Sequence, residues 1–269
     1  MKTVKTVILA ILVMAMLFGT GAQVAAADEQ AKVSVTISDG TLRLAREQVT
    51  LADADGDGAL TLNDALYLAH EAKYEGGAAA GYGSAASDYG VSITKLWGVE
   101  SGSGYGYYIN NASAMSLMDT VKDGDCVSAF VYTDTVGFSD TYCYFDKTTL
   151  SADSGEVFTL TLNAAAFDEN WNPVVKPVEG ASITVDGVKT EYKTDAEGRV
   201  SIMLDGEKAC IISAVSETQT LVPPVCEVNV SQPLPDTGVS SPLLVASAFA
   251  AALFVMILST SKRRNAYEK

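Results

Sequence analysis

The sequence predicts a mainly β protein made of two small β domains, with one short helix between two of the strands. Runs of alternating apolar and polar residues recur through the interior of the chain, as expected for half-buried strands. Clusters of Gly, Asp and Asn separate these runs and predict turns. A single segment has helical spacing instead, so we expect strands nearly throughout.

The strands divide into two groups along the chain. The first two, at 33–37 and 41–51, flank the turn residues Asp39 and Gly40. The later predicted strands lie at 127–132, Thr141–Phe145, 157–162, 181–188, 200–204 and 209–215. The interior of the chain, residues 28–238, is about 210 residues long, which is enough for two hydrophobic cores. We place the division near 148–154, which gives domains at 28–150 and 151–231.

The one helix is predicted at 62–72. Its apolar side chains at Leu62, Ala65, Leu66 and Ala69 fall on one face. The following segment, 76–87, is rich in Gly, Ala and Ser and is expected to form a surface loop.

The N-terminal segment 1–27 has the features of a secretory signal peptide. Lys2 and Lys5 precede an apolar stretch at 7–18, and small residues occupy 24–27. The apolar stretch is shorter than the roughly 20 residues of a membrane-spanning helix. We therefore expect cleavage after Ala27 and export of the chain.

The C-terminal segment 232–269 ends in an apolar run at 242–258 followed by Lys262, Arg263 and Arg264. Before the run stands the pentapeptide Leu234, Pro235, Asp236, Thr237, Gly238. This order resembles the cell-wall sorting signal of Gram-positive surface proteins, with 242–258 as the transmembrane segment. The resemblance implies that a sortase cuts between Thr237 and Gly238 and joins Thr237 to peptidoglycan. The alternative is an ordinary C-terminal membrane anchor.

Removing both ends makes the protein strongly acidic. Residues 28–238 contain 12 basic and 32 acidic side chains, a net charge of −20. Such a surface repels nucleic acid and anionic lipid and suits cation binding. We expect no nucleic-acid partner, and contact with the membrane only before sorting.

Four cysteines in an exported chain invite pairing. Cys210 and Cys226 lie symmetrically about Thr218, and Cys126 and Cys143 bracket a polar segment. These spacings predict two disulfides, and four buried free thiols are the alternative.

An Asp-rich segment at 53–64 has the spacing of a calcium loop. Counting from Asp53, carboxylates stand at positions one, three, five and twelve, which are Asp53, Asp55, Asp57 and Asp64. Gly58 permits a sharp turn, and Ala59 offers its carbonyl to a cation that takes roughly six to eight oxygens. The segment resembles the calcium loop of EF-hands and dockerin repeats. The alternative is an acidic turn that caps the helix at Asn63 or Asp64.

The region 81–148 contains a Gly-Tyr-Gly-Tyr-Tyr-Ile-Asn strand and a Lys-Asp-Gly-Asp turn before an apolar strand. It resembles the transcobalamin C-terminal type of domain, which implies a role in holding a corrinoid. A candidate ligand face consists of Trp97, Tyr105, Tyr107, Tyr108 and Asn110. Alternatively, alternate members pack into the core and Asn110-Asn111 makes a turn.

The second domain, 151–231, resembles the immunoglobulin-like or transthyretin-like domains of bacterial surface proteins, through Pro177-Val-Glu-Gly-Ala and Thr194-Asp-Ala-Glu-Gly. This implies a β-sandwich that acts as a spacer. His70 is the only histidine, and a lone histidine gives no zinc site of the usual type, so we expect no enzyme.

The sequence therefore predicts a calcium-binding protein on the surface of a Gram-positive cell, with a sortase and peptidoglycan as partners. Its first domain would bind an extracellular corrinoid, glycan or protein. The second hypothesis is a purely structural wall or pilus component in which calcium only stiffens the fold.

Overall fold

The computed structural model describes residues 30–232, except 88–89 and 103. The signal peptide predicted at 1–27 lies outside the described residues, as do the Leu234–Gly238 pentapeptide and the apolar segment 242–258. Within the described residues, no helix is long and apolar enough to cross a membrane.

The prediction of a mainly β fold is confirmed. In the part of the chain that the structure describes, two helices, α1 (Leu62–Lys73) and α2 (Gly77–Gly81), accompany the strands. In chain order the strands are β1 (Lys32–Ser38), β2 (Leu42–Thr50), β3 (Gly83–Ser87), β4 (Gly90–Lys95), β5 (Tyr105–Ile109), β6 (Ala112–Ser113), β7 (Cys126–Val131), β8 (Thr141–Phe145), β9 (Thr149–Asp153), β10 (Val157–Phe167), β11 (Pro173–Pro177), β12 (Ser182–Val185), β13 (Val188–Lys193), β14 (Arg199–Met203), β15 (Lys208–Val215), β16 (Leu221–Val222) and β17 (Cys226–Ser231).

The segment 76–87 is not the surface loop that its composition predicts. It forms α2 and the edge of a β3–β4 hairpin. The carboxylate of Glu71 accepts the backbone N–H of Ala78 at 2.9 Å, and Ala78 is buried against α1. Small side chains here allow close packing against α1, so the Gly- and Ala-rich composition reflects packing rather than flexibility.

The first domain is a five-stranded sheet, in the order β2-β1-β7-β5-β6, covered by α1. Strands β1 and β7 are parallel and the other neighbours are antiparallel. The helix buries Leu62, Ala65, Leu66 and Ala69 against apolar side chains of the sheet. The four side chains that the sequence places on the buried face of the helix are the apolar ones that α1 contributes to the core.

The second domain is a sandwich of two sheets. One has the order β11-β10-β8-β16 with β14 also paired to β10, and the other has the order β13-β12-β15-β17-β9. Inward side chains of both sheets form one core, including Leu160, Leu162, Ile183, Ile202 and Ile212, each fully buried. This is the sandwich that the sequence predicts for this part of the chain.

The division between the domains differs from the predicted one. Strand β8 belongs to the second domain, because Phe145 pairs with Leu162 and Cys143 pairs with Ala164 of β10. The boundary therefore lies between Val131 and Thr141 rather than near 148–154. The alternating pattern of β8 gave no sign of which sheet it would join.

The two domains meet through a group of mainly aromatic side chains, which we call the junction cluster: Phe130, Tyr142 and Val222, with Tyr108, Tyr132, Tyr144 and Ala165 packed against them. Tyr108 of the first domain and Tyr142 of the second stack with ring centroids 3.6 Å apart and planes inclined by 7°. The Tyr142 hydroxyl donates to Oδ1 of Asn111 at 3.0 Å. Ring stacking and burial thus hold the domains together.

Arg46 adds a polar contact between the domains. It lies where the β1–β2 ladder has a bulge and adopts a positive φ of 44°. Its Nε is 3.4 Å from Oε2 of Glu227 in β17, and its side chain is only 11% exposed. The bulge thus directs a cation from the first domain towards a carboxylate of the second.

The two predicted disulfides are not present, because Cys126, Cys143, Cys210 and Cys226 are all free. Cys226 pairs with Ile212 and Cys210 pairs with Val228. The β15–β17 register is centred one residue beyond Thr218, which moves the two cysteines out of opposition.

Cys126 and Cys143 occupy strands of different domains, β7 and β8, rather than one hairpin. Ser34 donates to the Cys126 sulfur at 3.3 Å, and Cys143 donates to the Val222 carbonyl at 3.2 Å. Burial raises the pKa of the Cys226 thiol to about 11, which disfavours the thiolate.

Strand β17 carries the chain away from the junction. Glu227 pairs with Thr149 close to Arg46, whereas Ser231 pairs with Asp153 four residues further along the parallel ladder. At roughly 3.3 Å per residue, Ser231 lies about 13 Å beyond Glu227. The described chain therefore ends towards the end of the sandwich that faces away from the first domain.

Candidate functional site

The Asp-rich loop between β2 and α1 brings three carboxylates together. Asp53, Asp55 and Asp57 are exposed, and one ligand oxygen from each lies within 4.8 Å of the others. Alternate residues of this loop thus point their side chains to a common point. Three convergent carboxylates are the ligand type that a hard divalent cation prefers.

Asp53 organises the loop by accepting backbone donors. Its Oδ1 accepts from Gly56 at 2.7 Å and from Asp57 at 3.1 Å, and its Oδ2 accepts from Gly58 at 2.9 Å. Gly56 and Gly58 have φ of 77° and 87°, in the left-handed region that favours glycine. These glycines let the chain wrap around the carboxylate of Asp53.

Asp64, the predicted ligand at position twelve, has a different set of contacts. Its side chain is fully buried, and it belongs to a capping box in which Thr61 is the N-cap of α1. Oδ2 accepts the Thr61 N–H at 2.8 Å and the Thr61 hydroxyl at 2.7 Å, while Oδ1 accepts the Ala54 N–H at 2.8 Å. Because a carboxylate oxygen has two lone pairs, only Oδ1 retains one for a cation.

The structure therefore agrees with the alternative prediction for Asp64, in which its carboxylate caps the helix. Ala59, predicted to offer its carbonyl, donates its N–H to Oδ1 of Asp57 at 2.8 Å. The Ala59 carbonyl takes no part in that hydrogen bond.

Two polar residues that were not predicted to be ligands support the loop. Asn63 donates from Nδ2 to Oδ2 of Asp55 at 2.9 Å, and its Oδ1 accepts the Tyr82 hydroxyl at 2.9 Å. Tyr82 is buried, and burial raises its pKa above the ordinary value, so the phenol stays protonated as a donor. In the sequence, the link from Asp55 to Tyr82 is indicated only by the position of Asn63, an amide side chain between the acidic loop and the apolar face of α1.

The loop is also joined to the segment that precedes β7. The first helical N–H groups, of Leu62 and Asn63, donate to the carbonyls of Asp119 and Leu117 at 2.9 and 2.8 Å. Val121 donates to the Leu60 carbonyl at 3.0 Å. Backbone groups at the start of a helix need partners, and here another part of the domain supplies them. The loop thus has a fixed position in the first domain.

The predicted ligand face does not form one surface. Successive residues of a strand point to opposite faces of a sheet. Tyr105 and Tyr107 pack against the core on the helix side, whereas Tyr108 points to the junction cluster. The Tyr105 hydroxyl donates to the Thr94 carbonyl at 2.8 Å. The alternative in which alternate aromatic residues pack inwards therefore describes this strand.

Trp97 packs beside the end of α1. Its ring centroid is 5.2 Å from that of Tyr74 and 5.3 Å from that of His70. The backbone N–H of Trp97 donates to Nε2 of His70 at 3.1 Å, while Nδ1 of His70 lies 2.6 Å from the Leu66 carbonyl oxygen. These contacts fix the neutral tautomer with the proton on Nδ1, and burial lowers the pKa of His70.

Asn110 and Asn111 form the two-residue turn between β5 and β6, with φ of 51° and 65°. Positive φ at both positions is typical of a type I′ hairpin turn, which favours Asn. The Asn110 side chain donates to Asp125 at 2.8 Å and accepts from the Cys126 N–H at 2.9 Å. Its amide therefore anchors the turn rather than facing a ligand.

No family model matches this chain, and no curated protein matches it. Among solved structures, the N-terminal four Ig domains of Dscam1 isoform 6.9 match 40% of this chain at 12% identity, with a TM-score of 0.23. The match covers 24% of that chain. Tandem Ig repeats of Dlar match 76% of this chain and 97% of that chain, at 10% identity and a TM-score of 0.24. The second domain is a sandwich by virtue of its own two sheets and their shared core.

Proposed function

We propose that this chain is an exported, calcium-binding and non-enzymatic protein of the cell surface. The observation that carries the proposal is the convergence of the Asp53, Asp55 and Asp57 carboxylates in a loop with EF-hand spacing. An acidic chain with a net charge of −20 over residues 28–238 favours a cation as its small ligand.

The proposed coordination uses one oxygen each from Asp53, Asp55 and Asp57, the carbonyl of Ala59 and Oδ1 of Asp64, with water completing the set. Asp64 contributes one oxygen because Thr61 engages the other. We expect an affinity suited to extracellular calcium, since bidentate ligation at position twelve is absent from this arrangement.

Calcium should stabilise the folded chain through this loop. With Ca²⁺ at about 100 times its Kd, binding to the folded state alone adds about 2.7 kcal/mol to the free energy of unfolding. The measurement is thermal unfolding of the full chain in Ca²⁺ and in chelator, followed by Trp97 fluorescence. Asp53→Ala should abolish the difference between the two buffers.

Asp205→Ala is the matched control, because Asp205 is an exposed aspartate in the second domain. It should keep the full response to Ca²⁺. Equal unfolding temperatures of the unmodified chain in both buffers would show that the loop does not bind Ca²⁺.

We further propose that the C-terminal signal attaches the protein to the wall, with a sortase and peptidoglycan as partners at Thr237. The geometry of β17 supports this, because the chain leaves the sandwich on the side away from the first domain. Attachment at that end would make the immunoglobulin-like or transthyretin-like second domain a spacer and place the first domain outermost.

Thr237→Ala should prevent covalent attachment. We expect the protein in intact cells to need wall-digesting enzymes for its release, and the variant to be released by detergent alone. Thr218→Ala, an exposed turn substitution, serves as the control and should behave like the unmodified protein. Detergent release of the unmodified protein would favour the ordinary membrane anchor.

Of the two roles predicted for the first domain, the placement of the aromatic residues favours the structural one. Trp97, Tyr105 and Tyr107 pack on the helix side and Tyr108 joins the junction cluster, so they offer no common platform for a corrinoid or a glycan. In this proposal the transcobalamin-like features stabilise the fold, and any ligand of the protein binds elsewhere.

A further inference from the structure

A second site lies between the domains, where the β5–β6 hairpin of the first faces the β10–β11 hairpin of the second. A groove of about 360 Å³ opens there, with Tyr108, Met115, Tyr144, Phe167, Pro173 and Val175 among its lining residues. This volume falls within the range of small-molecule sites, which is roughly 300 to 1,000 Å³. The groove is separate from the acidic loop and does not depend on calcium or wall attachment.

The groove exposes an unusual amount of apolar surface. Met115 is 84% exposed, Val175 is 61% exposed and Phe167 is 51% exposed. Trp171, at the tip of the β10–β11 hairpin, is 82% exposed and its ring centroid is 6.2 Å from that of Phe167. Contiguous exposed apolar side chains of this kind mark binding surfaces more often than scattered ones do.

The charge distribution selects an uncharged occupant. Among the described residues, those that line the groove include no Asp, Glu, Lys, Arg or His, so a buried ionic group would find no partner among them. The surrounding chain is strongly acidic, which repels anions over a distance of several ångströms. Tyr108 remains a neutral phenol, because burial raises its pKa to about 12.

The edge strand β11 disfavours an added peptide strand as the occupant. Asp168 donates to Asn172 at 2.9 Å and Val178 donates to Leu162 at 3.0 Å, and such pairs alternate along an antiparallel ladder. The backbone groups of Pro173, Val175 and Pro177 therefore face outwards. Two of these three residues are prolines without an N–H, and prolines at an edge block strand addition.

The groove is continuous with the junction cluster. Tyr108, Tyr144 and Ala165 belong to both, and the rings of Tyr108 and Tyr142 are already stacked. A planar ring in the groove would extend the aromatic packing that joins the domains. We propose that this groove binds an uncharged, planar aromatic compound.

A fluorescence titration of the full chain with N-phenyl-1-naphthylamine tests the proposal. Val175→Glu and Met115→Glu place a charge on opposite walls of the groove, and each should weaken binding about tenfold or more. Val188→Glu is the matched control, because Val188 is a 69% exposed valine on the edge strand β13. It should leave binding within about twofold of the unmodified chain.

The sulfonated form of the same ring system, 1-anilinonaphthalene-8-sulfonate, tests the preference for an uncharged ligand. We expect it to bind about tenfold more weakly than the neutral probe. Equal binding of the two probes would overturn the proposal. Equal loss in the Val175→Glu and Val188→Glu variants, or loss in neither, would also overturn it, because the probe would then lie outside the groove.

Discussion

Replacing Tyr142 by alanine should lower the free energy of unfolding by about 3 to 5 kcal/mol, the range for truncating a large buried aromatic side chain. The ring is 6% exposed and stacks on Tyr108 with centroids 3.6 Å apart. Its loss removes the central member of the junction cluster from the second domain. Because this cluster joins the two domains, we expect a single unfolding transition to separate into two.

Tyr142→Phe separates the ring from its hydroxyl. It keeps the stacking and loses the hydrogen bonds of the hydroxyl to Asn111 and Ser128, so the expected loss is about 1 to 2 kcal/mol with one transition retained. Urea unfolding is followed by tryptophan fluorescence, which reports mainly on the first domain because Trp97 is packed there and Trp171 is 82% exposed, and by circular dichroism, which reports on the strands of both domains. A loss of less than 1 kcal/mol in Tyr142→Ala would show that the cluster does not hold the domains together.

Replacing Asp64 by alanine should cost about 2 to 4 kcal/mol even in chelator, through the loss of a helix cap and of buried hydrogen bonds. The carboxylate is fully buried and satisfies the N–H and the hydroxyl of Thr61, which is itself fully buried. Both Thr61 groups would then be left without this acceptor. The measurement is urea unfolding of the full chain in chelator, so that metal binding makes no contribution.

Asp57→Ala is the control for this prediction. Asp57 is exposed and its carboxylate accepts one local N–H, so in chelator its loss should change stability by less than about 1 kcal/mol. In Ca²⁺ both variants should lose stability. A small effect of Asp64→Ala in chelator would mean that the carboxylate acts only as a metal ligand.

The local features of this fold were predictable because they depend on residues close together in the chain. The helix 62–72 follows from the spacing of Leu62, Ala65, Leu66 and Ala69, and the structure has it at Leu62–Lys73. The grouping of Asp53, Asp55 and Asp57 follows from a loop that closes on itself through Gly56 and Gly58.

Features that depend on distant pairing were not predictable in the same way. Strand β8 has the same alternating pattern whichever domain it joins, and only its pairing with β10 decides. A one-residue change in the centre of the β15–β17 register separates Cys210 from Cys226. Asp64 illustrates a third case, because one residue type serves both metal binding and helix capping at the same position.

The course of β17 determines how the second domain would respond to mechanical force. A pull applied at Ser231 acts along β17, which is flanked by β15 on one side and by the parallel strand β9 on the other. Each flanking ladder pairs five residues of β17, so the strand must slide past both neighbours at once. Shear of this kind loads the interstrand hydrogen bonds together instead of opening them one by one. The strand that ends the described chain is therefore also the one best placed to bear tension.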